Sequence, residues 1–166
     1  MKIITYKREL IFVALAAIVF GFLYWRYRVP ATLQLDQMEI QLATGQSSTL
    51  ANERNGAEVV HFYASWCGPC LREIRVIAAE HERLKAMGLD FVFITDDNQD
   101  KIEQMKLLLP EDIRILQIKS LKDIGVYTIP ATYVINSSNQ VVFEKIDACN
   151  WSDAVFLQQI STLLQE

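Results

Sequence analysis

The residues from 59 to 94 constrain the fold more than any other part of the chain, because they form a regular strand, helix and strand pattern. The apolar runs Val59–Ala64 and Leu89–Ile94 each predict a buried strand. Between them, apolar residues recur near helical spacing over Cys67–Met87, and Gly88 is suited to ending that helix. The unit closes within thirty-six residues, as a right-handed crossover between parallel strands requires. The pattern therefore predicts an α/β domain.

The rest of the chain adds strands and helices to this unit. The other expected elements, in chain order, are an edge strand near Met38–Leu42, a helix over Asp100–Leu109, a strand near Ile113–Ile118, a short helix around Leu121, an antiparallel hairpin of Ala131–Ile135 with Gln140–Ile146, and a last helix beginning at Asn150–Asp153. A hairpin beside a parallel pair predicts a mixed central sheet flanked by helices. On the last helix, the residues expected toward the core are Trp151, Val155, Phe156, Ile160, Leu163 and Leu164.

The first 28 residues differ from everything that follows, because they hold a long apolar run. Sixteen residues, Leu10–Trp25, carry no charged side chain, and a helix of that length spans roughly 24 Å against a hydrocarbon core of about 30 Å. Arg26 and Arg28 can direct their charges outward while their stems lengthen the apolar span. We therefore expect a membrane anchor over residues 1–28 with a transmembrane helix at about 10–25, a linker at 29–34, and a domain at 35–166.

Two other interpretations of the apolar run stay open. A cleaved signal peptide would use Lys2, Lys7 and Arg8 as its positive region, although the bulky and charged residues of Trp25–Arg28 do not suit a cleavage site. A helix buried within a globular domain would normally carry a polar face, which this run lacks. Three bases and the amino terminus precede the run and two bases follow it, so the positive-inside bias slightly favours a domain outside the cytoplasm.

The charge of the chain argues against two classes of protein. The 166 residues carry 16 Lys and Arg against 20 Asp and Glu, a net charge of −4, and half of the residues are hydrophobic. This composition favours neither a nucleic-acid-binding protein nor a disordered chain. Five of the bases and one acid lie in residues 1–28, which leaves eleven bases and nineteen acids, a net charge of −8, for residues 29–166.

The chemistry is expected at Trp66-Cys67-Gly68-Pro69-Cys70, where a predicted strand ends and a helix begins. At a helix start, unpaired backbone N–H groups and the helix dipole stabilise a thiolate, so Cys67 is the expected attacking sulfur. Cys70 lies one turn further along the same face, and the two thiols can form a disulfide or resolve a mixed one. Gly68 lets a partner chain approach closely, and Pro69 is tolerated in the first turn.

A zinc site is the main structural alternative for this cysteine pair. The remaining candidate ligands are Cys149, His61 and His81, and their spacings match no zinc template. We therefore predict no metal site and no other cofactor.

The Ala64–Cys70 motif, followed some sixty residues later by Thr128-Ile129-Pro130-Ala131-Thr132, resembles the thioredoxin superfamily. The resemblance covers about residues 35–166 and implies a thioredoxin-like fold. The apolar amino-terminal run, the segment added before the first strand, and Glu73 resemble the membrane-tethered TlpA, ResA and ScsD group of envelope thiol–disulfide oxidoreductases.

The resemblance also implies roles for single residues. Cys67 would be the nucleophile and Cys70 the resolving thiol. Pro130 would be a cis-proline, and the backbone of Ile129 would pair with an extended substrate strand. Trp66, Gly68 and Pro69 would complete the substrate-binding surface, with Trp66 shielding the disulfide.

Four further residues lie outside these assignments. His61 stands where relatives have an aspartate or asparagine, and it is either a proton relay that titrates near neutral pH or a satisfied core histidine. Glu73 is either a second relay group or a carboxylate on the helix surface. Cys149 is most simply a third thiol, with a regulatory or second resolving role as the alternative, and His81 is expected to be a solvated helix residue.

The direction of electron flow is expected to be reducing. The Gly68-Pro69 insert carries no cation, as in the reducing thioredoxins. The resemblance implies a single-pass protein of the bacterial inner membrane with its domain in the periplasm. The expected clients are periplasmic proteins with disulfides, such as apocytochrome c or copper-stressed thiols. The resemblance also implies a membrane electron donor of the DsbD or CcdA kind. The alternatives are an oxidase or isomerase on the same fold, or a non-catalytic assembly factor that holds a client, for example in cytochrome c maturation.

Overall fold

The computed structural model describes residues 14–21, 35–42, 46–54 and 56–164. The chain divides into two compact units, Met1–Leu33 and Gln34–Glu166. Residues 14–21 are helical and form α1. The other half of the predicted transmembrane helix, at 10–13 and 22–25, and the whole predicted linker at 29–34 lie outside the described residues. No helix within the described ranges is both long and apolar enough to span a membrane.

The second unit is built on a seven-stranded sheet in the order β2-β1-β5-β4-β3-β6-β7. Its strands are β1 (Glu39–Gln41), β2 (Ser47–Thr49), β3 (Glu58–Phe62), β4 (Phe91–Thr95), β5 (Arg114–Gln117), β6 (Ala131–Ile135) and β7 (Val141–Ile146). The β3–β4 and β4–β5 pairs are parallel, and the other neighbours are antiparallel. The mixed sheet and the β6–β7 hairpin that the sequence predicts are therefore confirmed.

Five helices accompany this sheet within the described part of the second unit. They are α2 (Leu50–Glu53), α3 (Gly68–Ala79), α4 (His81–Ala86), α5 (Gln99–Lys106) and α6 (Ala154–Leu164), and a 3₁₀ turn covers Leu35–Gln37. The central strands β3, β4 and β6 are buried at every residue, as expected of strands covered on both faces. Each is rich in β-branched or aromatic side chains, which suit a buried strand.

The pairing of β3 with β6 places the functional region. In the antiparallel register, Phe62 at the end of β3 lies opposite Ala131 at the start of β6. The loop that leaves β3 toward Cys67 and the loop that enters β6 through Pro130 therefore meet at one edge of the sheet.

Four details differ from the sequence prediction. The helix predicted over Cys67–Met87 is two helices, because Glu80 has φ −95° and ψ 5° and interrupts the helical backbone between α3 and α4. His81, expected to be solvated, is buried, with Nε2 2.8 Å from Asp112 Oδ1. The residues around Leu121 form turns instead of a helix.

The last helix also starts later than predicted. Asp153 Oδ1 accepts hydrogen bonds from the backbone N–H groups of Val155 and Phe156, and this cap begins α6 at Ala154. Val155 then lies in the exposed first turn, with 80% of its surface accessible, so its prediction as a core residue is wrong. Trp151, Ile160 and Leu164 are buried as predicted.

Candidate active site

Cys67 and Cys70 form a disulfide at the start of α3. Their sulfur atoms are 2.05 Å apart, and both residues are buried. Cys67 is the residue that caps the helix, because its Sγ accepts a hydrogen bond from the N–H of Cys70 at 3.2 Å. Pro69 occupies the first turn, where the missing N–H has no cost. When the disulfide is reduced, this N–H and the helix dipole stabilise a thiolate on Cys67.

The proline loop faces the sulfur of Cys67. The Ile129–Pro130 peptide bond is cis, as the resemblance implies, and the carbonyl oxygen of Ile129 lies 3.8 Å from Cys67 Sγ. Trp66 directly precedes Cys67, and its side chain is 77% exposed. Tyr127 lies three residues before Pro130, and its side chain is 51% exposed.

Asp97 holds the loop that precedes Cys67. Its carboxylate accepts the backbone N–H of Ser65 at 2.7 Å and the Ser65 hydroxyl at 3.0 Å. Desolvation, with a smaller contribution from the charge of Asp97, raises the pKa of the neighbouring Tyr63 above its ordinary range. Sequence reasoning missed Asp97, although it lies two residues after the end of β4, which is the parallel neighbour of β3.

Glu73 is buried, so its interpretation as a carboxylate on the helix surface is wrong. It lies three residues after Cys70, so both side chains are on one face of α3. Its Oε1 accepts the backbone N–H of Cys149 at 3.1 Å and the indole N–H of Trp151 at 2.6 Å. Burial raises the pKa of Glu73, and these two hydrogen bonds oppose that rise.

His61 is a buried and neutral histidine. Its Nδ1 lies 3.0 Å from Thr132 Oγ1 and 4.0 Å from Glu73 Oε1, and its ring meets the ring of Phe93 edge-on. Burial lowers the pKa of His61 to about 3, which favours the core histidine over the proton relay that titrates near neutral pH. The physical reason is that the interior around β3 offers no solvation for an imidazolium.

Cys149 is a free, buried thiol beside Glu73. Burial, followed by the nearby charge of Glu73, raises the pKa of Cys149 to about 11. The thiol is therefore neutral at physiological pH and a poor nucleophile. Cys149 lines a groove beside the first turn of α3 whose other walls come from Pro69, Arg72, Glu73, Val76 and Ala148. Within the described ranges, no group of three or more His, Cys, Asp or Glu side chains could hold a metal ion.

A disulfide between cysteines one helical turn apart, opposite a cis-proline loop, can exchange with a disulfide in another molecule. The protein is a thiol–disulfide oxidoreductase with a thioredoxin-like fold. The chain belongs to the Redoxin family, whose sequence model matches residues 30–159.

Solved structures show the same fold at low sequence identity. An uncharacterised thioredoxin-like protein from Porphyromonas gingivalis has 17% identity and a TM-score of 0.64, over 81% of this chain and 94% of its own. A thiol:disulfide interchange protein of the thioredoxin family from Chlorobium tepidum has 21% identity and a TM-score of 0.56, over 76% and 92%. StoA from Bacillus subtilis has 18% identity and a TM-score of 0.53, over 76% and 94%. No curated protein matches the chain at significant similarity.

Proposed function

We propose that the protein is a membrane-tethered reductase that reduces disulfides of envelope proteins through Cys67 and Cys70. The observation that carries this direction is the helix start itself, where Gly68 and Pro69 separate the cysteines and neither bears a charge. Only the helix amides and dipole then stabilise the Cys67 thiolate within the motif. A modestly stabilised thiolate makes the dithiol a good electron donor, because the reduced form is not strongly favoured.

The reaction that follows moves two electrons from the dithiol to the client. The Cys67 thiolate attacks one sulfur of the client disulfide, forming a mixed disulfide and releasing the other client sulfur as a thiolate. Cys70 loses its proton and attacks Cys67 Sγ. This step closes the Cys67–Cys70 disulfide and releases the second client thiolate, and the two client thiolates take up protons.

Glu73 is the proposed acceptor of the Cys70 proton. It shares a buried helix face with Cys70, and its raised pKa brings the carboxyl closer to the working pH of a proton carrier. His61 is not assigned this role, because its pKa of about 3 leaves too small an affinity for the proton.

The client is proposed to bind across the surface between Trp66 and the proline loop, with its chain extended along the backbone of Ile129. Cys67 Sγ lies 3.8 Å from the Ile129 carbonyl, so a client strand paired there would bring its own sulfur to Cys67. The exposed indole of Trp66 offers a flat apolar contact.

Membrane attachment is proposed from the apolar run Leu10–Trp25, and periplasmic placement from the resemblance to tethered envelope proteins. A reductase in that compartment needs electrons from across the membrane, so its donor would be a membrane protein of the DsbD or CcdA kind. Carbonate extraction of membranes tests attachment: the full chain should stay in the membrane fraction, and a chain with Ala16→Asp and Val19→Asp should be extracted.

The reduction potential tests the direction. The full chain in detergent micelles is equilibrated with glutathione or dithiothreitol couples, and the fraction of oxidised Cys67–Cys70 is measured by thiol alkylation. We expect a potential near that of thioredoxin, about −270 mV, whereas a value near about −120 mV would contradict the reductase proposal.

One observation favours an oxidase as the second candidate. Arg72 Nη1 lies 3.7 Å from the position that a side-chain Cβ would occupy at Gly68, so a guanidinium is close to the first turn of α3. A cation there stabilises the thiolate and makes the disulfide more oxidising. Because Arg72 is exposed, solvent and salt screen its charge, and we rank this candidate below the reductase.

A further inference from the structure

The segment that follows β7 contacts both the proline loop and Glu73. Asp147 donates its backbone N–H to the carbonyl oxygen of Pro130 at 3.0 Å, and Cys149 donates its backbone N–H to Glu73 Oε1 at 3.1 Å. Asp147 has a φ of 138°, which residues other than glycine rarely adopt. A conformation of this cost persists where the surrounding contacts maintain it, and such residues cluster at functional sites.

Trp151 ends this segment and supplies the second hydrogen bond to the same carboxylate oxygen. Its Nε1–H lies 2.6 Å from Glu73 Oε1, and its ring is fully buried. The ring packs edge-on against Phe91 and Phe156, with centroids 4.8 and 5.4 Å away. These contacts fix the direction of the indole N–H, because a buried ring between two aromatic neighbours has little rotational freedom.

The two oxygens of Glu73 therefore have different surroundings. Oε1 accepts two N–H groups, whereas Oε2 is buried and has no hydrogen-bond partner among the described residues. A proton placed on Oε1 would have to displace a donor, but a proton placed on Oε2 displaces nothing. Glu73 also lines the groove whose other walls include Cys149 and Pro69, the latter in the first turn of α3.

We propose that Trp151 is a positioning residue for Glu73: its indole N–H fixes Oε1 and leaves Oε2 as the oxygen that takes up and releases the proton when Cys70 resolves the mixed disulfide. This inference rests on the proposed role of Glu73 as the proton acceptor. It assigns the proton to one atom, and it gives a function to a residue far along the chain from the cysteine motif.

Several titratable groups face Glu73 and set the background for this effect. His61 on β3 is neutral, and the Cys149 thiol is neutral. Lys145 on β7 lowers the pKa of Glu73, and Asp147 after that strand raises it. Cys70, on the same helix, is the group that exchanges the proton. Against this background, loss of the indole donor removes stabilisation from the ionised carboxylate and so raises the pKa of Glu73 further.

The test follows the resolving step alone. Reduced full-length protein in detergent micelles, with Cys149→Ala in every variant so that only Cys67 and Cys70 react, is mixed with dithiobis(nitrobenzoate). Attack by Cys67 releases one thionitrobenzoate and leaves a mixed disulfide, and attack by Cys70 releases the second. The rate of the second release is measured by stopped-flow absorbance from pH 5 to pH 9.

Trp151→Phe is expected to move the midpoint of this pH profile upward and to slow the second release about tenfold at pH values below both midpoints, as expected for loss of one hydrogen bond to a charged group. The rate should recover at high pH. Phe143→Leu is the matched control, because Phe143 packs against Phe156 at the edge of the same aromatic cluster, and the indole keeps its donor and its own contacts with Phe91 and Phe156. It should leave the midpoint unchanged. Replacing Trp151 with benzothienylalanine, which has the same shape without the N–H, provides a second variant if Trp151→Phe does not fold.

Glu73→Gln separates the two proposals. It should abolish the inflection, and Trp151→Phe should then have no further effect on the profile. Equal midpoints for the wild-type chain and both position-151 variants would overturn the positioning role of Trp151, as would a shift that persists in the Glu73→Gln background. An inflection that survives Glu73→Gln alone would instead overturn the relay role of Glu73 itself.

Discussion

A buried glutamate lies near each end of the parallel strands, but the two glutamates have different hydrogen-bond partners. At the amino end, Glu58 opens β3, and Arg114 Nη2 donates to its Oε1 while Arg54 Nε lies 3.9 Å from its Oε2. Near the carboxyl end, Glu73 is equally buried, but the donors to its Oε1 are a backbone N–H and an indole N–H. One carboxylate is held by two cations, and the other by neutral groups.

The histidines repeat this contrast. His81 lies against the carboxylate of Asp112, whereas His61 meets the hydroxyl of Thr132 and the ring of Phe93. At the amino end, the charged pair of Glu58 and Arg114 joins β3 to β5. Neutral donors stabilise a buried carboxylate less than cations do. The pKa of Glu73 is therefore raised, and its carboxyl can bind and release a proton. The redox cysteines lie at the end where protons must move.

The largest expected effect is the loss of turnover when a redox cysteine is replaced. Cys67→Ser should reduce turnover of a disulfide substrate to the uncatalysed rate, because a serine hydroxyl cannot form the mixed disulfide. Cys149→Ser is the matched control and should retain turnover, since its thiol is buried and its pKa is raised to about 11. Insulin reduction by the full chain measures both. Turnover that survives in Cys67→Ser would favour the non-catalytic client-holding alternative.

The next prediction concerns the acid dependence of stability. The folded pKa of His61 is lowered to about 3, below its ordinary value of 6.5, so its contribution is present above pH 6.5 and is lost as the pH falls toward 3. One such group changes the unfolding free energy by about 1.4 kcal/mol per pH unit within that window. Denaturant unfolding of the oxidised full chain between pH 4 and pH 8 measures the slope.

His61→Asn should flatten this slope, because asparagine does not titrate. Phe93→Leu is the control, since it removes packing against the same ring and should lower stability by a similar amount at every pH. A slope that is the same in the wild-type chain and in His61→Asn would show that other groups govern the acid limb.

A matched substitution compares the two glutamates directly. Glu58→Gln should cost about 2 kcal/mol of unfolding free energy, less than the 3–5 kcal/mol typical of a fully buried pair, because the Arg114 side chain is 34% exposed. It should leave disulfide exchange unchanged. Glu73→Gln should cost less stability, since its amide oxygen can still accept both N–H groups, but should slow resolution. Similar losses of stability at both positions would contradict the electrostatic contrast between the two ends.

The sequence predicts the strands and the start of the active-site helix better than it predicts the contacts between distant segments. Alternating and continuous apolar runs predict β3, β4, β6 and β7, because burial on one or both faces leaves a local pattern. The cysteine motif marks the helix start by itself. The register of β3 against β6, which brings Ile129 to Cys67, depends on contacts between distant segments and has no local pattern.

The polar partners of the site are equally non-local. Glu73 shares the periodicity of the buried positions Cys70 and Ile77, which is a signal for its burial, but its donor Trp151 lies 78 residues further along the chain. The burial of His81 depends on Asp112, which lies beyond a strand and a helix. Local spacing therefore predicts which face a residue occupies, whereas the chemistry of its neighbour comes from tertiary packing.

The smallest expected effect concerns the exposed cation beside the site. Arg72→Gln removes a positive charge near Gly68, which destabilises the Cys67 thiolate and makes the reduced state less favourable. The reduction potential should become more negative by roughly 5–20 mV, the two-electron equivalent of an exposed charge interaction worth about 0.2–1 kcal/mol.

Lys85→Gln at the opposite end is the matched control, because it removes a positive charge that pairs with Asp112 away from the cysteines. It should leave the potential unchanged. The Arg72→Gln shift should shrink when salt is raised from 0.05 to about 1 M, since the Debye length falls to about 3 Å. A shift of the opposite sign, or an equal shift from Lys85→Gln, would mean that overall charge sets the potential, and the distinction between the two ends would then not extend to the redox couple.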